Sequence, residues 1–451
     1  MKAQSEMLGI EKISKLLLKL SAPATVGMLV SGLYNIVDTI FVGRALGDAS
    51  VQGIAAIAVS FPVLMISMAI SLAIGLGGAS IISRRLGSKD IEGAEKTFGN
   101  IIGMSIVLGT LVSIMGLVFM TPILELFGAT PTILPFAREY LQILLYGTPI
   151  FMFSLVANNV ARSEGNARVA MLTMVFSGVL NIILDPIFIF GLGMGIRGAA
   201  IATVISYFAS AFFLVKYFMS GYSSLVFRTH DLRPDIPILK EVCALGLAPF
   251  TRNSSMSIVV VFVNNILAIY GGDVPIAVYG IFNRLFVFAS MPLIGLLQGM
   301  QPIIGFNYGA RNFERVLESL RLSLWISTLI AIFDFVLLYS LASFLFSIFT
   351  TDTHLIEVGV SATRIMVLAV PLLGIQFVSA GMYQALGKPL PSFILSMARQ
   401  TIFLLPLLFL LPRAYDLEGV WMAFPIADTL AFVLTSWMLI REYRIIRAEF
   451  S

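Results

Sequence analysis

The stretch NIILDPIFIFGLGMGIRGAAIATVIS, Asn181 to Ser206, reads as the end of one apolar run, a glycine-rich break and the start of another. The flanking runs extend over 168–191 and 197–218, and each is long enough for a helix to cross the roughly 30 Å hydrocarbon core of a bilayer. Similar runs recur on both sides, separated by short clusters of Lys, Arg, Asp, Gly or Pro. The chain of 451 residues is 58% hydrophobic and only 12% charged, about half the charge of a soluble domain. A water-soluble fold is excluded on that ground. Barrel strands would show ten-residue segments of alternating polarity, which are not found, so the fold class is an all-α integral membrane protein.

Working outward gives spans at 14–44, 53–83, 98–125, 137–161, 168–191 and 197–218, then 240–270, 277–308, 317–349, 358–386, 391–412 and 418–440. That is about twelve transmembrane helices. The first run is read as helix one rather than a cleavable signal, because it is long and contains Pro23. Basic residues such as Lys12, Lys15, Arg84, Arg85, Arg228, Arg233, Lys240, Arg311, Arg441 and Arg444 fall on one side, against Arg44, Arg197 and Arg413 on the other. The positive-inside rule puts both termini in the cytoplasm, in a multi-pass plasma-membrane protein. The net charge of +4 therefore reports orientation rather than nucleic-acid binding. The longest polar break, SGYSSLVFRTHDLRPDIPILK, lies near the middle and divides the chain into 1–219, a cytoplasmic linker 220–239, and 240–451.

The two halves can be superposed in sequence. LSAPATVGMLVSGLYNIVD (Leu20 to Asp38) corresponds to GLAPFTRNSSMSIVVVFVN (Gly246 to Asn264), pairing Pro23 with Pro249. SRRLGSKD (Ser83 to Asp90) corresponds to GFNYGARN (Gly305 to Asn312), pairing Lys89 with Arg311. GTPIFMFSLVANNVARSEGN corresponds to AVPLLGIQFVSAGMYQALGK, pairing Pro149 with Pro371 and Gly165 with Gly387. Six spans per half is an even number, so the expected architecture is two six-helix bundles related by a pseudo-two-fold axis along the membrane normal. Repeats of this kind are typical of secondary transporters.

The chemistry is sought where the halves differ. Asp38 lies within helix one and faces Asn264 in the alignment, while Asp185 lies within helix five opposite the apolar Leu407. An acid at mid-helix costs about 2.5–3.5 kcal/mol on insertion scales, so two in one half need a role or a partner. Tyr34 shares a helix face with Asp38, and Asn181 with Asp185, each four residues away. Pro186 has no N–H to give, which frees the carbonyl of Ile182. Such a set can hold a proton or a sodium ion, or can consist of hydrogen-bonded structural acids. Tyr34, Asn158 and Met174 are candidate lining of a substrate cavity, methionine being adaptable. Asp334 and Asp428, with Arg252, Arg284 and Arg399 in the same half, fit mutual pairing as well as substrate binding. GMGIRG (Gly193 to Gly198) satisfies a dinucleotide-binding pattern but joins two membrane helices. One cysteine, Cys243, and two histidines, His230 and His354, make an intrachain disulfide impossible and a zinc site improbable.

The runs PATVGMLVSGLYNIVDTIFVGRALG, ISRRLGSKD, ANNVARSEGNARVAM and especially NIILDPIFIFGLGMGIRGAAIATVIS resemble the multidrug and toxic compound extrusion (MATE) family, most of all its DinF-type branch. The resemblance covers essentially the whole chain. It implies export of amphipathic, often cationic drugs by antiport with protons or sodium, with no other cofactor and no enzymatic activity. It maps coupling roles onto Asp38 and Asp185, with Asn181 and Thr203 as their partners, and a bending role onto Pro23. The family branch with a glutamate on helix seven is not matched, since that helix carries Arg252 and Asn264. The expected protein works as a monomer in the lipid bilayer. The competing readings are a lipid-linked saccharide flippase, which needs more intramembrane Arg and Lys, and an integral-membrane enzyme, which needs an acid, His or metal cluster at the surface.

Overall fold

The computed structural model describes the backbone of residues 3–45 and 50–450, and the side chains of residues 5–33, 41 and 52–448. Tyr34 and Asp38 fall outside those side chains. Every element among the described residues is helical. They are α1 (Ala3–Ile10), α2 (Ile13–Ala45), α3 (Ser50–Gly87), α4 (Ile91–Val118), α5 (Met120–Leu126), α6 (Leu134–Ser163), α7 (Ala167–Pro186) and α8 (Gly195–Met219). They continue with α9 (Ile236–Gly271), α10 (Asp273–Ala289), α11 (Met291–Gly309), α12 (Phe313–Ser340), α13 (Ala342–Ser347), α14 (Thr353–Met366), α15 (Leu373–Ala385), α16 (Pro389–Met397), α17 (Leu405–Leu410) and α18 (Pro412–Phe450). Among the described residues eleven helical runs are long and apolar enough to cross a membrane, or twelve when α14 and α15, bent by 41° at their junction, are joined as one span.

The helices group into two compact units, Met1–Leu8 with Val26–Gly246, and Gly9–Thr25 with Leu247–Ser451. The division does not follow the polar stretch 220–239. It cuts α2 and α9, next to Pro23 and Pro249, the prolines that the repeat pairs. Within the first unit, the start of α9 rests on α3: a Cβ on Gly77 would lie 2.5 Å from the Val242 carbonyl oxygen, and one on Gly246 would lie 2.4 Å from that of Ala73. Within the second, the start of α2 rests on α11, where Cβ atoms on Gly295 and Gly299 would collide with Thr25 and Ser21. No residue larger than glycine fits such backbone approaches without displacing a helix.

The repeat is visible in backbone detail. Lys89 (φ 63°) and Arg311 (φ 56°) both take the left-handed conformation that non-glycine residues avoid. Each is followed by a side-chain cap: Gly93 N–H donates to Asp90 Oδ1 (2.9 Å) ahead of α4, and Arg315 N–H to Asn312 Oδ1 (3.4 Å) ahead of α12. Gly165 (φ 92°) and Gly387 (φ 73°) make a second matched pair of turns. Two other equivalents diverge. Pro149 lies inside the continuous α6, whereas Pro371 sits in a 3₁₀ turn, Val370–Leu372, that separates α14 from α15.

In the first unit α6 packs against α3, α4 and α8. Gly109 of α4 lets the backbone of Pro149 approach to 2.8 Å of where a Cβ would stand, and Gly147 of α6 admits the side chain of Val204 of α8 to 2.7 Å. In the second unit a core of Val263, Leu267, Val278, Phe346, Val367 and Val420 ties α9 and α10 to α13, α14 and α18. A break at Tyr415 and Asp416 (φ 47°) bends the start of α18.

The stretch between α8 and α9 is a docked strap rather than an open linker. Glu164, fully buried just after α6, accepts hydrogen bonds from Tyr217 Oη (2.5 Å), Ser223 Oγ (2.8 Å) and Ser224 N–H (2.7 Å). Glu95 of α4 accepts from Val226 N–H (3.2 Å) and pairs with Arg228 (3.4 Å). Asn100 binds the strap twice, donating to the Asp231 carbonyl (3.1 Å) and accepting from Asp235 N–H (2.7 Å). Lys96 pairs with Asp235 (2.6 Å), and Gly99 admits Asp231 against the helix backbone.

Candidate functional site

The opening stretch folds as a membrane hairpin. α7 runs to Pro186, a five-residue π-helical turn Ile187–Gly191 follows, and Gly193 (φ 65°) and Gly195 (φ 55°) turn the chain into α8. Gly198 then packs on that turn, since a Cβ there would lie 2.8 Å from the Phe188 carbonyl carbon. The glycines of GMGIRG are thus explained by a tight reversal. π-helical turns frequently mark functional sites, because the widened turn breaks the regular ladder.

This hairpin brings Asn181, Asp185 and Thr203 together. Asn181 Nδ2 donates to Asp185 Oδ1 (3.3 Å) and to Thr203 Oγ1 (3.4 Å). Thr203 in turn donates to the Ala199 carbonyl (3.0 Å), so its oxygen is free to accept from Asn181. Asp185 is 0% exposed and Asn181 1%. The Asn181 Oδ1 atom is buried with no hydrogen-bond partner among the described residues. An orphaned amide oxygen beside a buried carboxyl is costly as it stands and is suited to a cation or a proton-bearing group. Among the described residues no group of three His, Cys, Asp or Glu could hold a metal ion.

The other candidates are distributed differently. Asp38 and Tyr34 lie on α2, their side chains outside those described. Met174 is half-buried, its sulfur 3.2 Å from where a Cβ on Gly27 of α2 would stand. Asn158 is engaged elsewhere: its Nδ2 donates to the Ala170 carbonyl (2.9 Å) and its Oδ1 accepts from Arg162 (2.7 Å). It anchors a buried arginine between α6 and α7. Pro23 sits within the helical course of α2.

In the second unit, one of the expected pairings forms. Arg399 lies in a π-helical segment, Ala398–Leu404, and donates through Nε to Asp428 Oδ1 (2.5 Å) and through Nη2 to Oδ2 (3.5 Å). Gln376 binds the Asp428 carbonyl (2.8 Å), and the Arg399 guanidinium stacks on Phe286 at 5.2 Å. Asp334, Arg252 and Arg284 make no ion pair among the described residues. Sequence reasoning left Glu164 unassigned. A glutamate between two helix ends was visible in ARSEGN, but its donors arrive from 53 to 60 residues away. Burial pushes its carboxyl up to about 7, against the pull of Tyr217, Ser223 and the Ser224 N–H.

Comparison with known proteins identifies the family. The MatE family model matches twice, over residues 23–187 and 247–410. The chain is 31% identical over 428 residues to the multidrug export protein MepA of Staphylococcus haemolyticus, covering 95% of this chain and 93% of that protein. It is 30% identical to MepA of Staphylococcus aureus, covering 93% and 91%. A solved structure of the MATE multidrug transporter DinF-BH superposes with a TM-score of 0.90 at 44% identity, covering 98% and 99% of the two chains. A MOP-superfamily transporter from Pyrococcus furiosus, whose reversed pocket polarity was taken to suggest a different function, superposes with a TM-score of 0.90 at 29% identity, covering 99% and 98%.

Proposed function

Because the chain belongs to the MATE family of multi-pass membrane transporters and is not an enzyme, we propose that it exports amphipathic, often cationic drugs across the plasma membrane by antiport with protons or sodium. The observation that carries the reading is the buried cluster of Asp185, Asn181 and Thr203 inside the bilayer span, with an amide oxygen unanswered among the described residues. Asp38, on the neighbouring α2, completes the coupling pair in this reading. Both termini lie in the cytoplasm, and one monomer is the working unit.

The cycle has a simple electrostatic logic. Ionised, the acids attract a cationic drug into a low-dielectric site; with a proton or sodium bound, that attraction is cancelled and the drug leaves. Bending of α2 at Pro23 couples the two events, for Pro23 removes one helical hydrogen bond at the place where α2 passes from one compact unit to the other. One elementary charge moving down 100 mV supplies about 2.3 kcal/mol, enough for roughly a fiftyfold drug gradient. The test is efflux of a fluorescent cationic amphiphile from cells expressing the wild type or Asp38→Asn. The variant reaches the membrane in equal amount and exports nothing; wild-type export by Asp38→Asn removes the coupling assignment.

A further inference from the structure

The strap between α8 and α9 presents a sorted surface. Its acids are turned inward or paired: Asp231 and Asp235 have side chains only 13% and 21% exposed, and Asp235 is paired with Lys96. Glu95 and Glu241 beside it are held by Arg228 and Arg84. The bases of the strap and of the adjoining ends of α8 and α9 point out. Lys216, Arg233 and Lys240 are exposed with no ion pair among the described residues, and Arg228 is 62% exposed. Between them Tyr222, Val226 and Ile236 stand 64%, 54% and 56% exposed, although Tyr222 and Val226 lie outside the spans.

The strap's position sets the partner. It leaves one span at Met219 and enters the next at Ile236, so both its ends lie at the same membrane surface. Its hydrogen bonds to Glu164, Glu95 and Asn100 hold the backbone in place, so the outward face is preorganised. Basic groups immediately beyond a transmembrane helix, interleaved with an aromatic ring and aliphatic side chains, match an anionic headgroup layer with acyl chains beneath. We propose that this strap is a docking surface for anionic phospholipid, with Lys216, Arg228, Arg233 and Lys240 binding headgroups and Tyr222, Val226 and Ile236 entering the interface. Its placement on the cytoplasmic side rests on the orientation given above, but its binding does not require transport.

The full chain is reconstituted in vesicles of equal phosphatidylglycerol and phosphatidylcholine and extracted into detergent, and the two retained lipids are counted by mass spectrometry. Each basic group contributes about fivefold in lipid partition. Arg233→Gln/Lys240→Gln therefore lowers the retained phosphatidylglycerol ratio about twenty-five-fold at unchanged thermal stability, since neither side chain has an ion pair among the described residues to lose. Arg138, near the start of α6 and so at the end away from Glu164 and the strap, and Arg413 give the control: Arg138→Gln/Arg413→Gln, with equal charge loss at the opposite surface, keeps the wild-type ratio. Equal retention by wild type and the strap variant overturns the proposal and points the surface toward a soluble partner; equal loss in both variants also overturns it, because bulk charge then suffices. Either result leaves drug efflux untouched, so failure here is separable from failure of the transport reading.

Discussion

Asn181 is the hinge of the site's chemistry at the residue scale. It donates to Asp185 and to Thr203, and the oxygen of the same amide has no partner among the described residues. Asp185→Asn keeps the size and the hydrogen bond but deletes the charge. Its expected phenotype is lost transport with a melting temperature within a few degrees of wild type, read by efflux and thermal denaturation together; a large loss of stability with retained transport would make Asp185 structural. Glu164 supplies a pH prediction. Burial raises its carboxyl from 4.5 to about 7 in the folded chain, so the folded state holds this proton more tightly than the unfolded one. That contribution is complete below pH 4.5 and is lost as pH rises through about 7. Glu164→Gln flattens the difference between melts at about pH 5 and about pH 8, and an unchanged slope would show that another group controls it.

At the scale of elements, the paired Arg399 and Asp428 test how α18 is held to the π-helical segment before α17. Arg399→Met leaves a carboxylate 1% exposed without its partner and costs about 3–5 kcal/mol, while Arg399→Met/Asp428→Leu recovers most of it. Chemical denaturation of the three proteins measures this, and a double variant no better than the single one contradicts it. Gly109→Val drives a side chain into the Pro149 backbone, separating α4 from α6 at a cost of about 1–3 kcal/mol. The spans were legible because hydropathy integrates over twenty residues, and so was the correspondence of Lys89 with Arg311, but not the left-handed conformation that both adopt. The different fates of Pro149 and Pro371 were not legible, because neighbouring helices decide whether a membrane proline is absorbed or breaks its helix. Nor was the docking of the strap, whose anchors Glu95, Asn100 and Glu164 lie on distant helices. The partner of Asp428 was one of three arginines in sequence and is Arg399 in space.

At the scale of the whole molecule, a duplicated scaffold carries an unduplicated site. The halves share caps, left-handed turns and glycine-seated helix starts, and the family model matches each once. Asp185, in contrast, corresponds in the repeat to Leu407, so the proposed ion coupling belongs to one half. Asp185 and Asn181 were readable because an acid within an apolar run is costly and its neighbour follows helical spacing, whereas Thr203 was named by the family resemblance alone; the bond of Asn158 to the Ala170 carbonyl depends on packing between helices. The central claim is that an ion gradient drives drug movement through Asp38 and Asp185. The direct measurement is drug flux in proteoliposomes under proton and sodium gradients imposed separately. The wild type is expected to move drug against its gradient with one of these ions, and Asp38→Asn/Asp185→Asn with neither; equal flux in the double variant, or flux indifferent to both gradients, would contradict the account.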